Sequence, residues 1–161
     1  LIRMLELNYF QQTTDRLPVT FRWDVLRALI EAEPGRLFKE ISVVVLGRDA
    51  MRRMNQNYNR SILSTDILTF TLKEGHGDLF ICPKNIVVYS RINIVPYEVR
   101  WWHLLVHGLS HLKNLDHQEV SDAEIFCRDE KKRWDCLAFY IPHLKLWSWD
   151  QNYIYQYNHL Y

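Results

Sequence analysis

The chain has 161 residues, with 20 Lys and Arg against 19 Asp and Glu, seven His, three Cys and five Gly. Hydrophobic residues make up 48% and charged residues 24%, a balance that excludes an intrinsically disordered chain. The formal charge of +1 excludes a surface that binds polyanions all over, but it allows a local basic groove. The length predicts one domain over 1–161, ending in an aromatic tail over 147–161, with enough buried surface to need no disulfide or metal for its core. Cys82, Cys127 and Cys136 are an odd set without CxxC spacing, which argues against a disulfide framework and for a reducing compartment. The N-terminal stretch lacks the charged, apolar and small-residue plan of a signal peptide, and no run of 18 apolar residues predicts a membrane span.

In chain order, Ile2 to Asn8 alternates apolar and polar residues as a half-buried strand does. Phe21 to Ala32 places Val25, Leu26, Leu29 and Ile30 on one helical face, with Thr20 as N-cap and Pro34 and Gly35 as the stop. Ile41 to Leu46 is a β-branched run, expected as a buried strand. Arg48 to Tyr58 sets Met51 and Met54 on one side of a short basic helix. Asp66 to Leu72 and Asp78 to Cys82 read as two more strands, joined across Glu74, Gly75, His76 and Gly77. Three helices follow, over Pro83 to Ile92, Pro96 to Lys113 and Glu119 to Tyr140. The pattern predicts an α+β fold, a small mixed four-stranded sheet packed with about five helices. The tail from Trp147 to Tyr161 is crowded with Trp and Tyr and is expected to pack on the body, with partner binding as the alternative.

The most informative segment runs from His103 to His117, HLLVHGLSHLKNLDH. His107 and His111 are four apart, so on a helix they project from one face, the geometry in which two imidazoles reach one divalent metal. Asn114 tolerates the left-handed conformation that ends helices, so the chain can turn there and return His117 to the pair. Three neutral imidazoles and an open position make a catalytic-type zinc site on a helix and its following turn. Asp116, beside the third histidine, either accepts a hydrogen bond from an imidazole or caps the turn. His103 lies on the same stripe one turn earlier and is expected as an ordinary core or surface histidine, with a place behind the ligands or facing substrate as the alternative. His76, His143 and His159 stand alone, and the cysteines match no metal spacing.

Zinc proteases of the metzincin type share this spacing, but Gly108 stands where they need a Glu as general base, and Asn114 replaces their turn Gly. A nuclease fits the residues better. Zinc can polarise a phosphoryl oxygen and activate water near neutral pH, and an Arg offers two parallel donors to a phosphate. Between Arg48 and Arg60 the chain carries Arg48, Arg52, Arg53 and Arg60 against Asp49 alone, a local net charge of +3 that can steer RNA backbone. A solvated helix face is the plainer explanation of the same charges.

The segment HGLSHLKNLDH resembles the H-G-x-L-H-L-x-G-[aromatic or aliphatic]-D-H signature of the YbeY endoribonuclease family of rRNA maturation factors. NQNYNRSILSTDILTF, from Asn55 to Phe70, is similar to that family's N-x-x-Y-R-x5-T-D-V-L-S-F, and GDLFICP, from Gly77 to Pro83, to its G-D-I-x-I-[SC]-P. The resemblance runs from about Ile41 to Glu124. It departs at Ser110, where the family has Leu, at Asn114, where it has Gly, and at Asn59, which displaces the family's Arg to Arg60. It implies one zinc ion held by His107, His111 and His117, with Arg60 facing substrate and Thr65 and Asp66 shaping its groove. It implies single-strand-specific cleavage of rRNA in ribosome maturation and quality control, with the small ribosomal subunit or its proteins as partners. The expected setting is the bacterial cytoplasm or a bacterium-derived organelle. The alternatives are a ribosome-associated RNA-binding module with a structural zinc and, further off, a metalloprotease.

Overall fold

The computed structural model describes residues 4–147. The strands β1 (Glu6–Gln12), β2 (Glu40–Leu46), β3 (Ile67–Lys73) and β4 (His76–Ile81) form one sheet in the order β1-β2-β4-β3. β1, β2 and β4 run parallel, and β3 is antiparallel to β4, so the expected small mixed sheet is present. The helices are α1 (Trp23–Glu31), α2 (Arg48–Asn59), α3 (Pro83–Asn93), α4 (Tyr97–Leu112) and α5 (Val120–Tyr140), with short 3-10 turns at Pro34–Arg36 and Pro142–Leu146. All five expected helices and all four strands are therefore found, and the sequence of elements is α+β.

β2 sits inside the sheet, and its β-branched run is buried on both faces, as a central parallel strand requires. β3 and β4 meet in a two-residue turn, Glu74–Gly75, tighter than the four-residue connection expected. Gly75 has φ 78°, and a Cβ there would meet the Leu37 carbonyl oxygen at 2.7 Å. That carbonyl approach and the positive φ both require glycine, and the turn is pinned when Lys39 and Glu40 donate their N–H groups to the Gly75 oxygen.

α4 lies on one face of the sheet and α2 on the other. α4 is buried nearly all round, with twelve of its sixteen residues buried, including Trp101, Trp102, Leu105 and Leu109. It sits tight on the sheet at Gly108, where a Cβ would stand 2.7 Å from Leu79 and 3.0 Å from Ile67 and Thr69. On the opposite face, Met51 and Met54 of α2 pack against Leu68, Phe70, Phe80 and Cys82.

Two boundaries differ from the expected ones. β1 begins and ends four residues later than the alternation indicates, because it pairs along the whole of β2, from Glu6 opposite Glu40 to Gln12 opposite Leu46. An edge strand is held by backbone pairing, so it runs on through polar Gln11 and Gln12 despite their side chains. α1 begins at Trp23 with Arg22, not Thr20, as N-cap. Thr20 lies instead in a turn that the Phe21 N–H closes on the Pro18 carbonyl at 3.0 Å, and Phe21 makes ring contacts with Trp23, Trp101 and Trp102, so the helix starts after it. The aromatic tail after Trp147 lies outside the described residues. Trp147 itself accepts a hydrogen bond at its carbonyl from the Trp134 indole N–H, at 3.0 Å. No described helix is long and apolar enough to cross a membrane.

Candidate metal centre

The three histidines of the H-x3-H-x5-H segment come together. His107 and His111 project from one face of α4, and His117 returns from the following turn, with ligand nitrogens of all three within 4.8 Å of one another. The return depends on how α4 ends. Asn114 takes φ 60°, its N–H bonds the His111 carbonyl at 2.8 Å, and the Leu115 N–H bonds the Ser110 carbonyl at 3.3 Å. This pair of bonds is the Schellman arrangement, in which a left-handed residue just past the helix satisfies its last carbonyls and reverses the chain.

The imidazole orientations follow from what their Nδ1 atoms meet. His111 Nδ1 is 3.1 Å from the Leu115 carbonyl oxygen. A carbonyl only accepts, so Nδ1 carries the proton and Nε2 is left with its lone pair. His107 Nδ1 lies 2.7 Å from Oε1 of Glu130, which reaches in from α5. The two Nε2 atoms then face each other at 3.1 Å. Two nitrogens on a tetrahedral zinc stand roughly 3.3 Å apart for Zn–N distances of about 2.0–2.1 Å. Phe126 of α5 forms the floor, its ring centroid 5.1 Å from that of His107 and 4.8 Å from those of His111 and His117.

Burial, then the charge of neighbouring histidines, pushes His107 down to about 3 and His111 down to about 4. Both are therefore neutral at pH 7, the form that binds metal. Burial pushes the Glu130 carboxyl well up, and its Oε2 is buried without a hydrogen-bond partner among the described residues. The charges of Arg133 and Arg100 favour its ionised form but do not overcome that burial. A divalent cation held by the three imidazoles would add a nearer opposite charge, so the donor set fits a metal ion. His107, His111 and His117 would hold it, as their spacing predicts.

Asp116 accepts the backbone N–H of its neighbour His117 at 2.7 Å and so caps the turn. The carboxylate that meets an imidazole is Glu130, which the sequence reading did not single out. Arg60 is the left-handed C-cap of α2, with φ 54°, exposed and without a hydrogen bond or ion pair among the described residues. Thr65 and Asp66 are buried. Asp66 takes the Arg100 guanidinium at 3.0 Å from Nε and 2.6 Å from Nη2. Arg100 also lies over the Tyr89 ring at 4.0 Å and reaches His103 Nδ1 at 3.3 Å. His103 is thus buried beside the ligands, its ring centroid 6.4 Å from that of His107.

Behind α4, Arg133 bonds Ser110, Asp129 and Glu33, and Lys113 bonds Glu33 at 3.0 Å and Asp129 at 2.5 Å. Burial works against ionisation of Asp129, but the bonds from Lys113, Ser110 and Arg133 hold its carboxyl below the usual range. Ser110, where the related motif has Leu, thus completes a buried polar cluster that ties the last turn of α4 to α5. A sequence signal for this side of the site does exist. Phe126, Glu130 and Arg133 share the core-facing stripe of α5, and ionisable residues on a buried stripe demand partners. Position 108, where a metzincin carries its Glu, faces Leu79 and the sheet, so no side chain there could reach the ligands.

The family model described as endoribonuclease YbeY matches residues 10–138. Among curated relatives, endoribonuclease YbeY of Neisseria meningitidis serogroup A is 31% identical over 121 residues, 68% of this chain and 68% of that protein. Endoribonuclease YbeY of Methylococcus capsulatus is 28% identical over 129 residues, 76% of this chain and 84% of that protein. The solution structure of a Thermotoga maritima protein superposes with a TM-score of 0.59 at 20% identity, covering 85% of this chain and 92% of that one, which supports the fold. With the family signature on the helix and turn that gather its three histidines, the chain belongs to the YbeY endoribonuclease family.

Proposed function

We propose that the protein is a zinc-dependent, single-strand-specific endoribonuclease that acts on rRNA in ribosome maturation and quality control, with the small ribosomal subunit or its proteins as partners. The observation that carries this reading is the convergence of three imidazoles, each offering a ring nitrogen within 4.8 Å of the others, on a chain of this family. When bound there, zinc supplies Lewis acidity toward a phosphoryl oxygen. The chain's own residues do the rest. Glu130 and the Leu115 carbonyl fix the ligand tautomers, Phe126 shields one side of the cluster from water, and Asp116 holds the turn that presents His117.

In this reading Arg60 is the cation for the substrate phosphate. It is exposed and not committed to an acid among the described residues, and its guanidinium can present two donors to non-bridging oxygens. The setting is a bacterial cytoplasm or a bacterium-derived organelle. The test pairs wild type with Arg60→Ala on a single-stranded rRNA fragment and its duplex in the presence of zinc. Cleavage of the single strand alone, weakened by Arg60→Ala, supports the proposal. Zinc binding without turnover would instead make the metal structural and the protein an RNA-binding module.

A further inference from the structure

The sheet face away from the histidines carries a second set of residues suited to RNA. Met51, Met54, Asn55 and Tyr58 recur at helical spacing along the sheet-facing stripe of α2. The first three are buried or half-buried, but Tyr58, at the end of the stripe, is 64% exposed. Its ring is nevertheless held. It meets Phe70 at 4.7 Å and 60°, and Phe70 meets Phe80 across the strands at 5.6 Å and 80°. An aromatic ring fixed along one side and open on the rest offers stacking area at little cost in side-chain entropy.

α2 and its C-cap are cationic and amide-rich. Arg48, Arg52, Arg53 and Arg60 are all exposed. Arg52 pairs with Asp49 at 3.1 Å and Arg48 donates to Asn85 at 2.9 Å. Arg53 and Arg60 have neither a hydrogen bond nor an ion pair among the described residues. Gln56 and Asn57 fill the exposed positions between them, and Asp49 is the helix's sole acid. The platform has a defined end, because Phe70 stands opposite Asp78, and Glu40 of β2 and His76 of β4 pair further along the sheet at 2.9 Å. Exposed aromatic area two residues from the uncommitted Arg60 guanidinium, on a basic helix, is the chemistry of single-stranded nucleic acid binding, in which bases stack and cations follow the backbone. A purely apolar partner would leave those cations unused.

We propose that Tyr58, backed by Phe70 and Phe80, is a stacking platform for an unpaired nucleobase of an RNA single strand, with Arg60 as partner for the adjoining phosphate. The platform rests on the reading of RNA as substrate, takes its phosphate partner Arg60 from that reading, and adds a stacked base to it. It is tested by fluorescence anisotropy with a labelled oligoadenylate in EDTA, where cleavage does not intervene, on wild type, Tyr58→Leu, Tyr58→Phe and Tyr58→Trp. Tyr58→Leu keeps an apolar contact with Phe70 but has no π face, so it is expected to unfold at the same temperature and to bind about tenfold more weakly. Tyr58→Phe and Tyr58→Trp are expected to bind as wild type does. An oligomer with abasic residues is expected to bind wild type and Tyr58→Leu equally weakly.

The platform is overturned if Tyr58→Leu binds oligoadenylate as tightly as wild type, if the abasic strand binds wild type as tightly as oligoadenylate, or if wild type binds neither. Cleavage by the zinc-loaded wild type is scored separately. Turnover with Tyr58-independent binding removes the platform and leaves the nuclease. Tyr58-dependent binding without turnover supports the platform and removes the nuclease.

Discussion

Glu130 Oε1 stands 2.7 Å from His107 Nδ1, a contact between a fully buried carboxyl on α5 and the first imidazole of the metal cluster on α4. It joins the two helices at the point where the chemistry is expected. With a metal at Nε2, the Nδ1 proton is donated to Glu130, which sets the ring's orientation and raises its basicity.

Replacing Glu130 tests that role. Glu130→Gln keeps an acceptor for the Nδ1–H but removes the charge that balances the metal. Zinc affinity is expected to fall about 10–100-fold, read by competition with a chromogenic chelator. The metal-free variant should be at least as stable as metal-free wild type, because an acid whose burial outweighs its cationic neighbours has gone. Unchanged zinc affinity would show that Glu130 does not support the site.

The Arg100–Asp66 pair fixes the start of β3 to α4 with both side chains buried. Removing one partner leaves the other charge without its ion pair in the interior, so Arg100→Met is expected to cost about 3–5 kcal/mol in chemical denaturation. Adding Asp66→Asn should recover a large part of that loss. A double variant as unstable as the sum of the single changes would mean the two residues act independently.

The metal-free protein should lose stability in acid. His107 and His111 are lowered in the fold to about 3 and about 4, from an ordinary value of 6.5. Below that ordinary value the unfolded chain takes up protons that the folded imidazoles refuse, so stability falls as the pH drops from 6.5 toward these values. Glu130 is raised by burial and acts in the opposite sense above the ordinary range of a carboxyl, offsetting one imidazole of the two. The thermal midpoint of the metal-free chain is therefore expected to be lower at pH 5.5 than at pH 7.5. A midpoint that rises on acidification would contradict the neutral, buried state of the pair.

What the sequence disclosed about the site was what is local in the chain. His107, His111 and His117 depend on one helix and one turn, and Asn114 is the residue type that such a turn selects, so spacing alone indicated their convergence. Glu130 and Asp66 act on partners 23 and 34 residues away. Their roles depend on how α5 and β3 pack against α4, which no periodicity encodes. The helices and the central strands were legible because their apolar faces are continuous. β1 was displaced because backbone pairing to β2, rather than side-chain alternation, decides the limits of an edge strand. Gly108 has the same lesson in reverse. As a motif position it only weakened the protease reading, while in the fold its missing side chain is what lets α4 settle on Leu79, Ile67 and Thr69.

The most direct test of the zinc ribonuclease is single-turnover cleavage of a single-stranded rRNA fragment as zinc is titrated into metal-free protein, alongside His111→Ala. Cleavage is expected to rise to saturation at one zinc per chain, and His111→Ala is expected to bind no stoichiometric zinc and to cleave nothing while keeping its circular dichroism spectrum. Cleavage at the full rate by metal-free protein or by His111→Ala, in a preparation free of other nucleases, would contradict the account.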